Sequence, residues 1–174
     1  MNMFEIGEFI IYGPQGICKV TDIGYLDLPG ISKDRLYYTL EPCHILGGRI
    51  FTPVDNRKAV IRPVISRDDA MALINHMDEI EMLWVPDERK REFVYKEAVR
   101  KCDCRELIKI IKTTFLRKKS RAAAGKRVTA GDERYLHLAE ENLYGELAVA
   151  LDMEQEQVKQ MIIEKIKQGS EVRS

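Results

Sequence analysis

The hydrophobic period of this 174-residue chain changes once, at Ser66, and that change limits the fold more than any single motif does. Up to Val64 the apolar residues come in short runs rich in β-branched and aromatic side chains, cut by glycine and proline. Beyond Ser66 they recur three and four positions apart, the spacing of one helix face. The pattern predicts an α+β protein with a β module over residues 1–65 and an all-α module of about five helices over residues 66–174.

In the first module, Glu8–Tyr12, Ile17–Ile23, Arg35–Leu40, Arg49–Val54 and Val60–Val64 read as strands. Gly13-Pro14-Gln15-Gly16, Asp27-Leu28-Pro29-Gly30 and Gly47-Gly48 separate them as turns. Strands this short within a span this small predict a curled sheet or SH3-like barrel, with edges open to a partner. In the second module, Ser66 is expected to cap a helix whose buried face is Ala70, Leu73, Ile74 and Met77. Pro86 is expected to start the next, with Phe93, Val94 and Val99 inward. Asp103-Cys-Arg-Glu106 has the form of a capping box before Leu107, Ile108, Ile111, Phe115 and Leu116. Ala122–Val128 then forms a loop, and Thr129 opens a helix with Tyr135, Leu136, Leu138, Ala139, Leu143, Leu147 and Leu151 on one stripe. Asp152 is expected to cap the last, with Val158, Met161, Ile162 and Ile166 buried and fraying from Gly169 to Ser174.

Composition excludes several classes. No apolar run approaches the ~20 residues of a membrane span, and the start MNMFEIGEF has neither a basic nor an apolar leader segment, so a cytoplasmic location is expected. The four cysteines, Cys18, Cys43, Cys102 and Cys104, are too sparse for a disulfide scaffold. Cys102-x-Cys104 and Cys43-His44 could be combined into a four-ligand zinc site, but the C-x2-C spacing of zinc knuckles is absent and buried or neutral thiols are expected instead. His44, His76 and His137 sit in unrelated contexts with no nucleophile motif beside them, and the glycine pairs lack a phosphate loop's Lys-Ser/Thr. The expected protein is therefore no enzyme, with no cofactor, no metal and no small-molecule substrate.

A formal net charge of zero hides a strongly segmented chain. Residues 67–88 hold seven acids against one base, and residues 128–157 hold eight acids against Arg134. Between them, Arg89–Arg127 carries fifteen Lys or Arg and only four acids. Lys109, Lys112 and Lys119 alternate with Ile110, Ile111 and Leu116, which predicts a helix with one apolar and one positive face. A positive face of that kind attracts nucleic-acid phosphates through counterion release, although a solvated surface helix would have the same pattern. Trp84, the single tryptophan, stands just before the basic block. A core position is the ordinary place for it, and an exposed wedge against an unstacked base step is the alternative.

Several segments together carry a family resemblance. Phe4-Glu-Ile-Gly-Glu-Phe-Ile-Ile-Tyr12 followed by Gly16, then Phe51-Thr-Pro53, then Trp84 ahead of a basic helix, then Leu143-Tyr-Gly-Glu-Leu-Ala148 resemble, in that order, the CarD/CdnL family of bacterial transcription regulators. The first module is similar to the RNA polymerase-interacting domain shared with transcription-repair coupling factor. The resemblance implies a Tudor-like β domain that docks by strand-edge contacts on the polymerase β subunit. It further implies a helical domain at the upstream edge of the promoter bubble, where a tryptophan wedges into the minor groove and basic residues hold the backbone. Open complex is then stabilised without sequence-specific readout and without catalysis.

Carried onto this chain, the resemblance implies that Trp84 is the wedge, that Arg89, Lys90, Arg91 and Lys96 face DNA, and that Arg134 is a further DNA contact. For polymerase it points to the neighbourhood of Phe51, with Arg35 and Arg49 beside it. Better-known members follow the tryptophan almost at once with a basic-basic-aromatic run, whereas here Val85-Pro86-Asp87-Glu88 intervenes. The alternative is a protein–protein adaptor whose basic helical face docks on an acidic partner and whose tryptophan is core.

Overall fold

Each glycine-bounded run of the first module becomes a strand of one antiparallel sheet. In the computed structural model residues 3–172 are described, with side chains through Gly169, and the chain divides into two compact units, Met1–Val64 and Ile65–Ser174. Strands β1 (Phe9–Tyr12), β2 (Ile17–Tyr25), β3 (Leu36–Pro42), β4 (Ile50–Pro53) and β5 (Ile61–Pro63) stand in the order β4-β3-β2-β1-β5. The last strand thus returns beside the first, the order a small curled sheet needs. The β1–β2 connection is a short 3-10 turn over Gly13–Gln15 that ends on Gly16 at φ +70, where a Cβ would be strained. Register slips between Val20 and Asp22, a bulge that lets the long β2 bend. Ile10, Cys18, Val20, Tyr38 and Leu40 form the core, and the Tyr38 hydroxyl accepts the Phe4 N–H at 3.1 Å.

The second unit contains α1 (Arg67–Asn75), α2 (Arg91–Arg100), α3 (Cys104–Ala123), α4 (Ala130–Leu151) and α5 (Gln155–Val172). Two of the predicted caps close as expected, the Ser66 hydroxyl accepting the Asp69 N–H and Thr129 that of Asp132; Asp103 also caps its helix, but by accepting the Arg105 N–H in place of the Glu106 N–H of a capping box. The centre of the core is the α4 stripe of Ala139, Leu143, Leu147 and Leu151, met by Leu107, Ile108 and Ile111 of α3 and by Val158, Ile162 and Ile166 of α5.

Four expectations fail locally. Pro86 does not start a helix; Asp87 caps a 3-10 turn over Glu88–Lys90, and α2 follows from Arg91. The inward face of α2 is Tyr95, Ala98 and Val99, while Phe93 is 64% exposed. Asp152 ends α4 instead of opening α5: it lies in the left-handed region at φ +52, a conformation asparagine and aspartate tolerate, and Glu154 stands before α5 with its N–H held by Gln157 Oε1. The last helix continues through Val172 where fraying is expected from Gly169, and the final two residues lie outside the described ones. No helix among the described residues is long and apolar enough to cross a membrane.

Three of the cysteines, Cys18, Cys102 and Cys104, are buried and Cys43 is exposed. Burial, with Cys43 nearby, pushes the Cys18 thiol up to about 12. Partial burial, and then the carboxylate of Glu41, also raise the Cys43 thiol above its ordinary value. Since the thiolate is the nucleophile, a thiol-specific reagent should modify Cys43 alone in the native protein, slowly at neutral pH and faster as pH rises. Cys43→Ser should abolish that phase, and the other three should react only on unfolding. Two or more rapidly reacting thiols would contradict this burial pattern.

Candidate nucleic-acid interface

Residues 81–85 have no regular secondary structure, and from Met82 onward their burial alternates as an extended chain requires. Leu83 packs against the helical core and Val85 is half-buried, so Trp84 between them points away. It is 80% exposed. The core placement of the tryptophan is therefore overturned, and with it a premise of the adaptor alternative. Phe93, on the first turn of α2, is a second exposed aromatic that the helical period assigned to the interior.

The basic block does not form one positive face. Lys112 is only 8% exposed, and its ammonium donates to the carbonyl oxygens of Met77 at 3.0 Å and Ile80 at 2.5 Å. Lys109 pairs with Glu106 at 3.2 Å on its own helix. Arg117 donates to Asp132 at 2.6 Å and reaches Glu88 at 3.3 Å. These cations are consumed internally because a lysine or arginine near a buried surface is stable only when its donors are satisfied.

Asp132 is the centre of this network. It is 2% exposed and accepts from both Arg117 and the Tyr95 hydroxyl, the latter at 2.8 Å. Arg91 in turn donates to the Tyr95 oxygen at 3.2 Å and forks onto Glu88 at 2.6 and 3.0 Å. Hydrogen bonds from Arg91, foremost, and the charges of Arg91 and Arg117 hold the Glu88 carboxyl down to about 2. Burial raises the Tyr95 phenol, so it remains a neutral donor to Asp132. A second buried carboxylate, Glu146, is 1% exposed and accepts the Ile65 N–H at 2.8 Å and the Cys104 thiol at 3.2 Å. The sequence marks Asp132 only as an acid in the first turn of a helix; its partner fifteen residues earlier on another helix leaves no local signal.

The predicted DNA-facing residues separate accordingly. Arg89 is exposed and only loosely paired, with Asp87 at 3.4 Å; Lys90 and Lys96 are exposed with no acid at ion-pair distance among the described residues. Arg91 is held inside the Glu88–Tyr95 network. Arg134 is exposed but engaged, paired with Glu92 and lying over the Tyr135 ring at 5.0 Å. Trp84, Arg89 and Lys90 thus form the one stretch of the predicted set that joins an exposed aromatic to available positive charge.

In the first unit, β4 is an edge strand, paired only to β3 through Tyr37↔Pro53, Tyr38↔Thr52, Thr39↔Phe51 and Leu40↔Ile50. Thr52 faces the core, and Phe51 opposite it is partly exposed on a groove shared with Tyr25, Leu28 and Arg49. Arg35 is tied to Asp55 at 2.8 Å, bracing the ends of β3 and β4. Both edge strands end in proline, which has no N–H to offer a neighbouring strand, so the β4 edge available for pairing is short.

The family model of the CarD-like/TRCF RID domain matches residues 4–65. The first unit is a domain of that family, as the sequence resemblance implied, and the five-stranded sheet followed by helices has the α+β order expected of a CarD-like protein. No curated protein gave a match to the chain.

Proposed function

We propose, from the premise that residues 4–65 form a CarD-like RNA polymerase-interacting domain, that this protein is a cytoplasmic regulator of transcription initiation. The domain family supports a transcription-related role with RNA polymerase as partner. Within that role, the β4 edge and the neighbouring Phe51 groove dock on the polymerase β subunit. The helical unit meets promoter DNA at the upstream edge of the bubble and stabilises the open complex, without reading sequence and without catalysis.

The observation that carries the DNA half of this reading is the 80% exposure of Trp84. A large apolar ring left in water on a fixed segment is costly to keep there unless something covers it. Arg89 and Lys90 next to it supply phosphate contacts at the rim of a wedge. Of the two acids before them, Glu88 is already paired with Arg91 and Arg117, while Asp87 lies 3.4 Å from Arg89 and offsets it only loosely, leaving Lys90 unopposed among the described residues.

The test is direct. The full chain should capture purified polymerase β-subunit fragments, and Phe51→Asp, which places a charge in the groove beside the β4 edge, should weaken capture at least tenfold while the far-UV spectrum stays that of the wild type. Added to preformed polymerase–promoter complexes, the wild-type protein should lengthen open-complex lifetime. Capture that ignores the substitution would remove the β4 surface from the reading, and failure to bind any β fragment would remove its partner.

A further inference from the structure

The chain between Met77 and Glu88 is fastened to one helix at three points. Lys112 on α3 donates to the carbonyls of Met77 and Ile80 at 3.0 and 2.5 Å. Thr113, the next residue, accepts the Leu83 N–H at 2.9 Å while its own hydroxyl proton goes to the Lys109 carbonyl at 2.6 Å. Arg117, one turn further along, reaches Glu88 at 3.3 Å and is itself held by Asp132 at 2.6 Å. The order of fastenings along the segment is the order of their partners along α3.

The spacing of these points has a geometric consequence. From Leu83 to Glu88 an extended chain covers up to about 17 Å. From Thr113 to Arg117 the helix rises only about 6 Å. The Arg117 and Glu88 side chains span the difference, so Trp84–Asp87 is a bow strung between two fastenings, with Trp84 pointing away from them into solvent. Pro86 stiffens the bow. Leu83 anchors its near end in the core, and Trp84 is the first residue of the released stretch.

We infer that α3 is a splint for the Trp84 arch, and that Lys112, Thr113 and Arg117 are positioning residues that hold the tryptophan outward and ready for its partner. Two cations of the basic block, Lys112 and Arg117, thereby acquire a role that is not phosphate contact. A rigid arch matters because a wedge that is already placed loses little freedom on insertion, whereas a floppy one must be ordered each time. The splint itself is independent of what Trp84 touches; its effect on open complex rests on the function proposed above.

Trp84 is the only tryptophan, so its fluorescence reports on the arch without a label. Thr113→Val keeps the side-chain shape but can neither accept from Leu83 nor donate to Lys109. It should lower the steady-state anisotropy of Trp84 in the free protein and shorten open-complex lifetime about fivefold, the effect of one hydrogen bond at the anchor. Thr113→Ser, which keeps the hydroxyl, should restore both. An anisotropy that is wild type in Thr113→Val, in a protein with a wild-type helical spectrum, overturns the splint. If the anisotropy falls but neither Thr113→Val nor loss of the indole changes the lifetime, the splint stands and the DNA role of Trp84 is what fails.

Discussion

Replacing Trp84 with alanine is expected to shorten the lifetime of the open complex about tenfold, with the melting temperature and polymerase capture remaining those of the wild type. The magnitude follows from aromatic contacts with bases, which alanine substitution values at about 1–3 kcal/mol, between fivefold and somewhat over a hundredfold. The lower part of that range applies because Arg89 and Lys90 would continue to hold the backbone. Stability is unaffected because the ring is already 80% exposed and its removal leaves no cavity. Competitor-challenged lifetimes on a linear promoter template measure the effect. A lifetime equal to that of the wild type would sink the wedge.

The largest expected loss of stability belongs to Asp132. Asp132→Ala removes the acceptor shared by Arg117 and Tyr95, leaving the phenol without its acceptor and the guanidinium with only its 3.3 Å contact to the exposed Glu88. Breaking a buried pair by removing one side costs about 3–5 kcal/mol, because the abandoned charge still carries its desolvation penalty. Urea unfolding followed by helix signal should show the midpoint fall with little change in slope. Asp132→Asn keeps an oxygen for Tyr95 and should lose less. A midpoint within experimental error of the wild type in Asp132→Ala would mean that Glu88 alone satisfies Arg117, and would remove Asp132 from the centre of the network.

The two substitutions read different layers of the same unit. Trp84 contributes to the surface and nothing to the core, whereas Asp132 contributes to the core and touches no partner. Thr113 lies between them, buried but connected to the exposed arch by a single hydrogen bond. The three variants together separate the holding of the unit, the placing of the wedge and the use of the wedge.

Local chemistry was legible wherever one residue type has one good place. Ser66, Asp103 and Thr129 cap helices because a short oxygen-bearing side chain satisfies free N–H groups nowhere better. Asp152 has the residue type of an N-cap, but aspartate also suits a left-handed C-terminal position, and that is the place it takes, at the end of α4. On α2 the apolar period assigns Phe93 to the interior, and the structure places Tyr95 there instead. Tyr95 took it because Asp132 and Arg91 satisfy its hydroxyl there, which let the more apolar phenylalanine remain outside.

From the sequence alone came the kinds and order of elements, the break near Ser66, the family of the first unit and the prominence of Trp84 before a positive block, since all of these depend on residues close together in the chain. Tertiary structure alone decided which positive charges remain available. Lys112 and Arg117 lost theirs to carbonyls and carboxylates 15 to 35 positions away, Arg91 lost its charge to Glu88, and Arg89 and Lys90 kept theirs. A charge is counted along the chain, but whether it faces water or a buried acceptor is settled by neighbours that only folding brings near. The same holds for Trp84, which is outward because α3 is fastened to the segment on either side of it.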